Sequence, residues 1–306
     1  WITQRMQQGC SKSNLRELLF NRVNDTNVLR PALAPVTAWL CNRSDPWAED
    51  LRTWVLESAP IIHFQYGDPE KLPLEYRRQL LQSLKNQTSG RDYIRLSTSS
   101  DALKRLAHPD LAPELNTLIG DSTLSQRFRN ELIQIVHYGR LVQCLPPLLE
   151  IIKSNTESEV IKSYAIAAIR DAGNQSVRRE LVEVSKTSGN LSRFLVGAVF
   201  EAAYPDAITP KEFTDLLKVA NAPDGEFDHF PIYLNHSLNA RPCPNFALDL
   251  LDEFNQLSRT PPYLPSAYGN TISQQFNWIG DILPTLIRIV MTKHDLCSKD
   301  AEICAM

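Results

Sequence analysis

Apolar residues recur along this chain at intervals of three and four, which lays one stripe along a helix, while alternating strand-type runs are rare. Trp47, Leu51, Trp54 and Val55 predict a helix over 47–56. Leu80, Leu81 and Leu84 stripe a helix over 75–84, opposite Arg77, Arg78 and Gln82. Over 124–138 the stripe is Phe128, Leu132, Ile135 and Val136, and over 159–171 it is Val160, Tyr164, Ala167, Ala168 and Asp171. A last helical segment, 272–291, carries Phe276, Trp278, Ile279, Ile282 and Leu283 ahead of Pro284.

Prolines punctuate these runs. Pro60, Pro69, Pro73, Pro109, Pro113, Pro205, Pro210 and Pro223 are placed between helices, where a missing N–H and a fixed φ cost least. Thr209-Pro210-Lys211-Glu212 is a helix start with a reciprocal cap, and Asp68 in Gly67-Asp68-Pro69 is a candidate N-cap. Segments 221–228 and 241–245 read as long loops around a short apolar stretch, 230–234. Segment 258–270, with three prolines, Tyr263 and Tyr268, reads as a third loop, whose tyrosines either pin it to the helices or meet a partner.

The middle of the chain repeats. Two helices, 124–139 and 159–173, each end on a glycine suited to a left-handed C-cap, Gly139 and Gly173, 34 residues apart. Each is followed by a polar turn and another amphipathic helix, 141–153 and 175–186. A further helix, 191–203, has Gly197, Ala198, Ala202 and Ala203 for close helix approach. Helix pairs at this period mark an α-solenoid, in which each hairpin buries its apolar face only against its neighbours. The expected fold is therefore all-α, an α-solenoid of HEAT-like hairpins, against a compact irregular bundle. Its expected segments are 1–110, a helical linker or subdomain; 111–205, the repeats; and 206–306, a C-terminal helical segment with long loops.

Composition keeps this within the ordinary globular range, with 43% hydrophobic and 22% charged residues over 306 positions. The net charge of −3 gives no global basic surface for nucleic acid. Local basic pairs, Arg77-Arg78, Arg127/Arg129 and Arg178-Arg179, are interleaved with acids and read as a charged outer face. The chain starts at Trp1 and stops abruptly at Met306, so it is expected to be a piece of a longer protein. Neither a signal peptide nor an apolar run of membrane-spanning length is visible. Six cysteines, Cys10, Cys41, Cys144, Cys243, Cys297 and Cys304, are scattered without Cys-x-x-Cys spacing, which favours free thiols and a cytoplasmic location. Six Asn-x-Ser/Thr sequons, at Asn24, Asn42, Asn86, Asn174, Asn190 and Asn235, point the other way and are read as chance occurrences.

Chemistry-bearing patterns are few. There is no phosphate-binding Gly-rich loop, no His-Glu-x-x-His and no nucleophile elbow. His229 and His236 lack an acidic third ligand at metal spacing, and Cys297, Cys304 and His294 do not make four well-spaced ligands. Glu49-Asp50, Asp249, Asp252 and Glu253 fall on helices as solvated carboxylates. No catalytic, cofactor-binding or metal residue is assigned, and the fragment is read as non-enzymatic.

One resemblance extends this picture. Leu29-Arg30-Pro31-Ala32-Leu33 followed by Ala38-Trp39-Leu40 resembles the LRP-x-L-x-x-x-x-AWL segment downstream of the ATPase in large bacterial NACHT-type STAND proteins. Ser58-Ala59-Pro60 and Tyr66-Gly67-Asp68-Pro69 are similar to that family's next stretch, with Ala-Pro in place of Asp-Pro. Arg77-Arg78-Gln79-Leu80-Leu81 resembles its R-x-x-LL helix, and the 163–168 and 204–210 segments also look like it, in order along roughly residues 1–290. The resemblance implies a multidomain antiviral switch whose upstream module binds ATP and Mg, oligomerises and drives an effector. This chain would be its helical sensor, binding a protein trigger such as a phage protein and controlling ATPase oligomerisation, with no nucleic acid or membrane partner. The alternatives are a general HEAT-repeat adaptor scaffold and a HEAT-like nucleic-acid-binding enzyme.

Overall fold

A computed structural model describes residues 2–9, 11–88, 100–188, 191–220, 230–264 and 273–294. It is mostly helical, with seventeen α-helices among the described residues. In order these are α1 (Ile2–Gln7), α2 (Lys12–Leu19), α3 (Ala34–Cys41), α4 (Pro46–Ser58), α5 (Ile62–Gln65), α6 (Leu74–Thr88), α7 (Ser100–Leu106), α8 (Ala112–Gly120) and α9 (Gln126–Gly139). They continue as α10 (Leu145–Lys153), α11 (Glu159–Ala172), α12 (Gln175–Thr187), α13 (Arg193–Ala203), α14 (Pro210–Val219), α15 (Phe230–Ala240), α16 (Pro244–Leu257) and α17 (Ile279–His294). Two compact units result, Trp1–Pro147 and Leu148–Met306, so the division falls inside α10, and it is coarser than the three-segment scheme expected from sequence.

The first unit contains an element that helical periodicity did not announce. Strands β1 (Phe20–Val23) and β2 (Thr26–Leu29) pair antiparallel, with Phe20 opposite Leu29 and Arg22 opposite Asn27. Asn24 and Asp25 have φ of 47° and 62°, so both turn residues are left-handed, which matches the twist of a two-residue hairpin. Asn and Asp reach this region more easily than other non-glycine residues. Only Phe20 and Leu29 of the hairpin are buried, so its sequence lacks the alternation that betrays a strand. The Phe20 ring meets Trp54 of α4 edge-on at 6.1 Å.

The stripes at 47–56 and 75–84 face inward, with Leu51, Val55, Leu80, Leu81 and Leu84 inaccessible and Trp47 buried, while Trp54 is only half-buried. Arg77 is the exception. It was placed opposite the stripe, yet it is only 7% exposed. Its guanidinium donates to the carbonyls of Leu72 at 3.0 Å, Leu106 at 3.4 Å and Glu70. It therefore satisfies buried backbone acceptors instead of decorating a surface. Asp68 occupies the N-cap position of the 3-10 turn Pro69–Lys71, but its side chain makes no capping bond and lies 3.8 Å from both Lys71 and Arg105. Gly67 is required by closeness, since a Cβ there would stand 2.9 Å from the His63 carbonyl oxygen.

A polar cluster sits inside this unit. His63 is fully buried, and its Nε2 lies 2.8 Å from the Tyr76 hydroxyl. Tyr76 has one proton and donates it to the Arg52 carbonyl at 3.0 Å. The imidazole Nε2–H must then donate to the Tyr76 oxygen, which leaves Nδ1 unprotonated and, among the described residues, without a partner. Arg52 lies over the Tyr76 ring at 5.9 Å and donates to the carbonyls of Cys41 and Arg43. Burial first, and then the Arg52 charge, push the His63 pKa down to about 3.

In the second unit α13 packs between α11 and α15, and α15 against α17. Helix α12 leans on α11 and α13, α14 on α13 and α16, and α16 on α17. Thr209 caps α14 as read from sequence: its hydroxyl accepts from Glu212 N at 3.2 Å while the Glu212 carboxylate accepts from Thr209 N at 3.0 Å. The core is aromatic. Phe200 lies against Tyr204, Phe213 and Phe246, and Trp278 meets Phe230 and Phe254 edge-on at 4.8 and 5.6 Å.

Several finer expectations need correction. The buried face of α11 is Ile161, Lys162, Ala165, Ile166, Ala168 and Ile169, and Val160 is 49% exposed. One position of rotation separates the two readings, because Ile161 and Ile169 carry the larger apolar surfaces. Neither repeat glycine is left-handed. That conformation belongs to Arg140, with φ 51°, while Gly173 is extended at φ −77°, ψ 144°. Both glycines are instead spaces: a Cβ would lie 2.2 Å from Ala107 Cβ at Gly139 and 2.5 Å from the Ile169 carbonyl at Gly173. The apolar stretch at 230–234 opens an eleven-residue helix, and only residues 241–243 separate it from α16. Helix α17 begins at Ile279 and continues through Pro284, which forgoes one helical hydrogen bond. Of the third loop, Tyr263 donates to the Arg259 carbonyl at 2.8 Å and bridges to Ser273, as a pinning residue would. Residues 221–228 and Tyr268 lie outside the described residues.

Candidate recognition groove

The row α11, α13, α15 creates an apolar depression in the second unit. Its closeness comes from Gly197: a Cβ there would meet the Phe230 ring at 3.0 Å, so glycine lets α15 approach α13. Small residues then form the floor, Ser163 and Ala167 from α11 and Ala198 from α13. Together they leave a groove of about 170 Å³. Phe194 and Tyr233 stand at one end, 45% and 50% exposed, with ring centroids 6.2 Å apart in an edge arrangement. At the other end Arg170 pairs with Glu201 at 2.7 Å and with Asp171 at 2.8 Å. The hydrogen bond to Asp171 is the largest influence raising the Arg170 pKa, against the effect of burial, so this charge is fixed in place.

The chemistry of this groove is that of contact. Ser163, its one hydroxyl at the floor, donates to the Val160 carbonyl at 2.8 Å. What remains is an apolar trough, two aromatic anchors that lose little conformational entropy when covered, and an ion pair at one end to set orientation. Half-exposed aromatic side chains of this kind supply binding energy of roughly 2 kcal/mol each when a partner buries them.

The other sequence candidates are dispersed. His236, Asp249 and Asp252 are exposed on α15 and α16, and His229, Cys297 and Cys304 lie outside the described residues. Among the described residues no group of three or more His, Cys, Asp or Glu side chains is placed to hold a metal ion. Cys41 and Cys144 are buried free thiols, and burial pushes both pKa values up to about 12, which keeps them protonated and unreactive at neutral pH. No described helix is long and apolar enough to cross a membrane.

The basic pairs are engaged internally. Arg78 forms an ion pair with Glu114 at 2.9 Å and donates to the Asp110 carbonyl at 3.0 Å. Arg129 is buried and donates to the Ile119 carbonyl at 2.9 Å, and Arg178 donates to the Arg170 carbonyl at 2.6 Å. Arg179 pairs with Glu183 and Glu212, and Lys186 joins the same carboxylate. Asn174, one of the sequon residues, is the N-cap of α12, accepting from Val177 N at 3.0 Å.

Sequence reading missed Phe194 and Tyr233. The available signal was that Phe194 falls one position off the buried stripe Leu195, Val196, Val199 and Phe200, beside the small residues already marked. No protein-family model, curated protein or solved structure matches this chain.

Proposed function

We propose that this chain is a non-catalytic helical recognition module, the sensor of a bacterial STAND-type NTPase in antiphage defence, and that a protein trigger docks in the α11–α13–α15 groove. The observation that carries the binding role is the pair Phe194 and Tyr233, held half-exposed over a floor of small residues. The ordered motif resemblance supplies the NTPase context. On this reading the helical rows are stacked HEAT-like hairpins, and ATP and Mg act in the upstream module. A trigger works by population shift: it binds the open form more tightly than the resting one, and that difference sets how far oligomerisation is favoured. Internal engagement of Arg78, Arg129, Arg178 and Arg179 favours a protein partner over a nucleic-acid groove.

The test uses the full parent protein. Its ATP hydrolysis is measured with and without lysate from phage-infected cells, for the wild type and for Phe194→Ala/Tyr233→Ala. The expected outcome is stimulation that the double variant loses while basal hydrolysis persists. A parent without an upstream nucleotide-binding motif, or a double variant stimulated like wild type, contradicts the proposal.

A further inference from the structure

The first unit holds a second cavity, chemically unlike the groove. Helix α2 and the β1–β2 hairpin enclose a polar pocket of about 510 Å³. Three arginines line it from three places, Arg16 on α2, Arg22 on β1 and Arg30 just after β2. Glu17 and Asp25 also line it, so three guanidinium groups face two carboxylates and one positive charge is in excess.

Each guanidinium is positioned but not saturated. Arg22 bonds Asp25 at 2.8 Å, with both side chains well exposed, and such a pair contributes under about 1 kcal/mol in water, so an incoming anion can displace Asp25. Arg30 donates to the Glu17 carbonyl at 3.0 Å, which fixes its plane and leaves other N–H groups available. Arg16 lies over the Trp54 ring at 5.2 Å, and its Nε is shielded from solvent without an acceptor among the described residues. Arg16 is a lining residue of the pocket, and any contact with a bound anion falls to its terminal nitrogens and not to the shielded Nε. The tight left-handed turn at Asn24-Asp25 sets the register that puts Arg22 directly opposite Asn27, so the two side chains leave the hairpin on one face.

We infer that this pocket binds a small molecule carrying two or more linked phosphate groups. Guanidinium forks bind phosphate oxygens in pairs, with a geometry that lysine lacks. Three forks from separate elements suit oxygens on more than one tetrahedral centre, whereas a single planar carboxylate occupies one fork. The volume falls in the range of small-molecule sites.

The experiment is isothermal titration of the full chain with inorganic pyrophosphate at low ionic strength, with orthophosphate and citrate as parallel arms. One-to-one pyrophosphate binding is expected, with orthophosphate and citrate weaker. Arg30→Gln and Arg16→Met should each weaken it at least about tenfold, the loss expected for a charge-assisted hydrogen bond. Arg259→Gln, an exposed arginine of the other unit, should leave it unchanged. Arg30 is exposed, so Arg30→Gln should melt like wild type and remains informative if Arg16→Met folds poorly. No heat with pyrophosphate, citrate binding as tightly as pyrophosphate, or equal weakening by Arg259→Gln would each overturn the assignment.

Discussion

Lowering the pH should destabilise the first unit through one residue, His63. In the folded chain burial and the Arg52 charge lower its pKa from 6.5 to about 3. In the unfolded chain the imidazole titrates at its ordinary value. The unfolded state therefore binds more protons between these two values. The stabilisation is fully present above pH 6.5 and is lost as pH falls toward 3. Each pH unit in that window removes up to about 1.4 kcal/mol, so a drop to pH 4.5 costs roughly 3 kcal/mol. The structural cause is that Nε2–H is already committed to Tyr76, so a second proton goes on Nδ1, which has no acceptor among the described residues. Urea unfolding at 25 °C, followed by circular dichroism at several pH values, measures the loss. His63→Gln keeps an amide donor for Tyr76 but cannot titrate. Its stability at neutral pH should fall by about 1–2 kcal/mol through imperfect packing, and its slope against pH should be flatter than wild type by about one proton between pH 6 and 4. Parallel slopes for the two proteins would refute the reasoning.

Three further outcomes follow from the packing. Gly139→Ala should destabilise by about 1–3 kcal/mol, because its methyl would overlap Ala107 Cβ, and Ala107→Gly should recover most of the loss in a double-mutant cycle read by thermal melting. Phe200→Ala should cost about 3–5 kcal/mol by emptying the centre of the aromatic core, measured by denaturant unfolding. Glu212→Gln should cost about 2 kcal/mol, since the carboxylate serves Arg179, Lys186 and the Thr209 cap. The hydrogen bond from Arg179, above all, holds the Glu212 pKa well below the usual carboxylate value. Its contribution is present above the unfolded pKa near 4.5 and is lost as pH falls below it, so wild type and Glu212→Gln should converge in stability in strong acid.

What could be read from the sequence was whatever a periodic apolar stripe or a local cap encodes. Leu51/Val55, Leu80/Leu81/Leu84 and Phe128/Leu132/Ile135/Val136 announced their helices because each stripe is continuous and larger than its surroundings. Thr209-Pro210-x-Glu212 announced α14 because the cap is made within four residues. Features decided by distant chain were not visible. The β hairpin depends on an Asn24-Asp25 turn and on burial of Phe20 against Trp54, not on alternation. Arg77 looked solvated because the carbonyls that bury it, from Leu72 and Leu106, come from other elements. Gly139 and Gly173 were read as conformational residues, but their reason is room for Ala107 and for the Ile169 carbonyl. The groove was half-legible: Gly197 and Ala198 marked a close approach, while Phe194 and Tyr233 meet only after α15 has packed on α13.

The central claim is that the α11–α13–α15 groove is where a protein partner docks. On the proposed reading, the most direct measurement places a photocrosslinking phenylalanine analogue at position 194 of the protein, and at exposed position 219 on α14 as a control, during phage infection of cells that express it. One phage-encoded protein is expected to be joined through position 194, absent from 219, and lost when Tyr233→Ala is added. Equal crosslinking from both positions, or a partner captured only through 219, would contradict it.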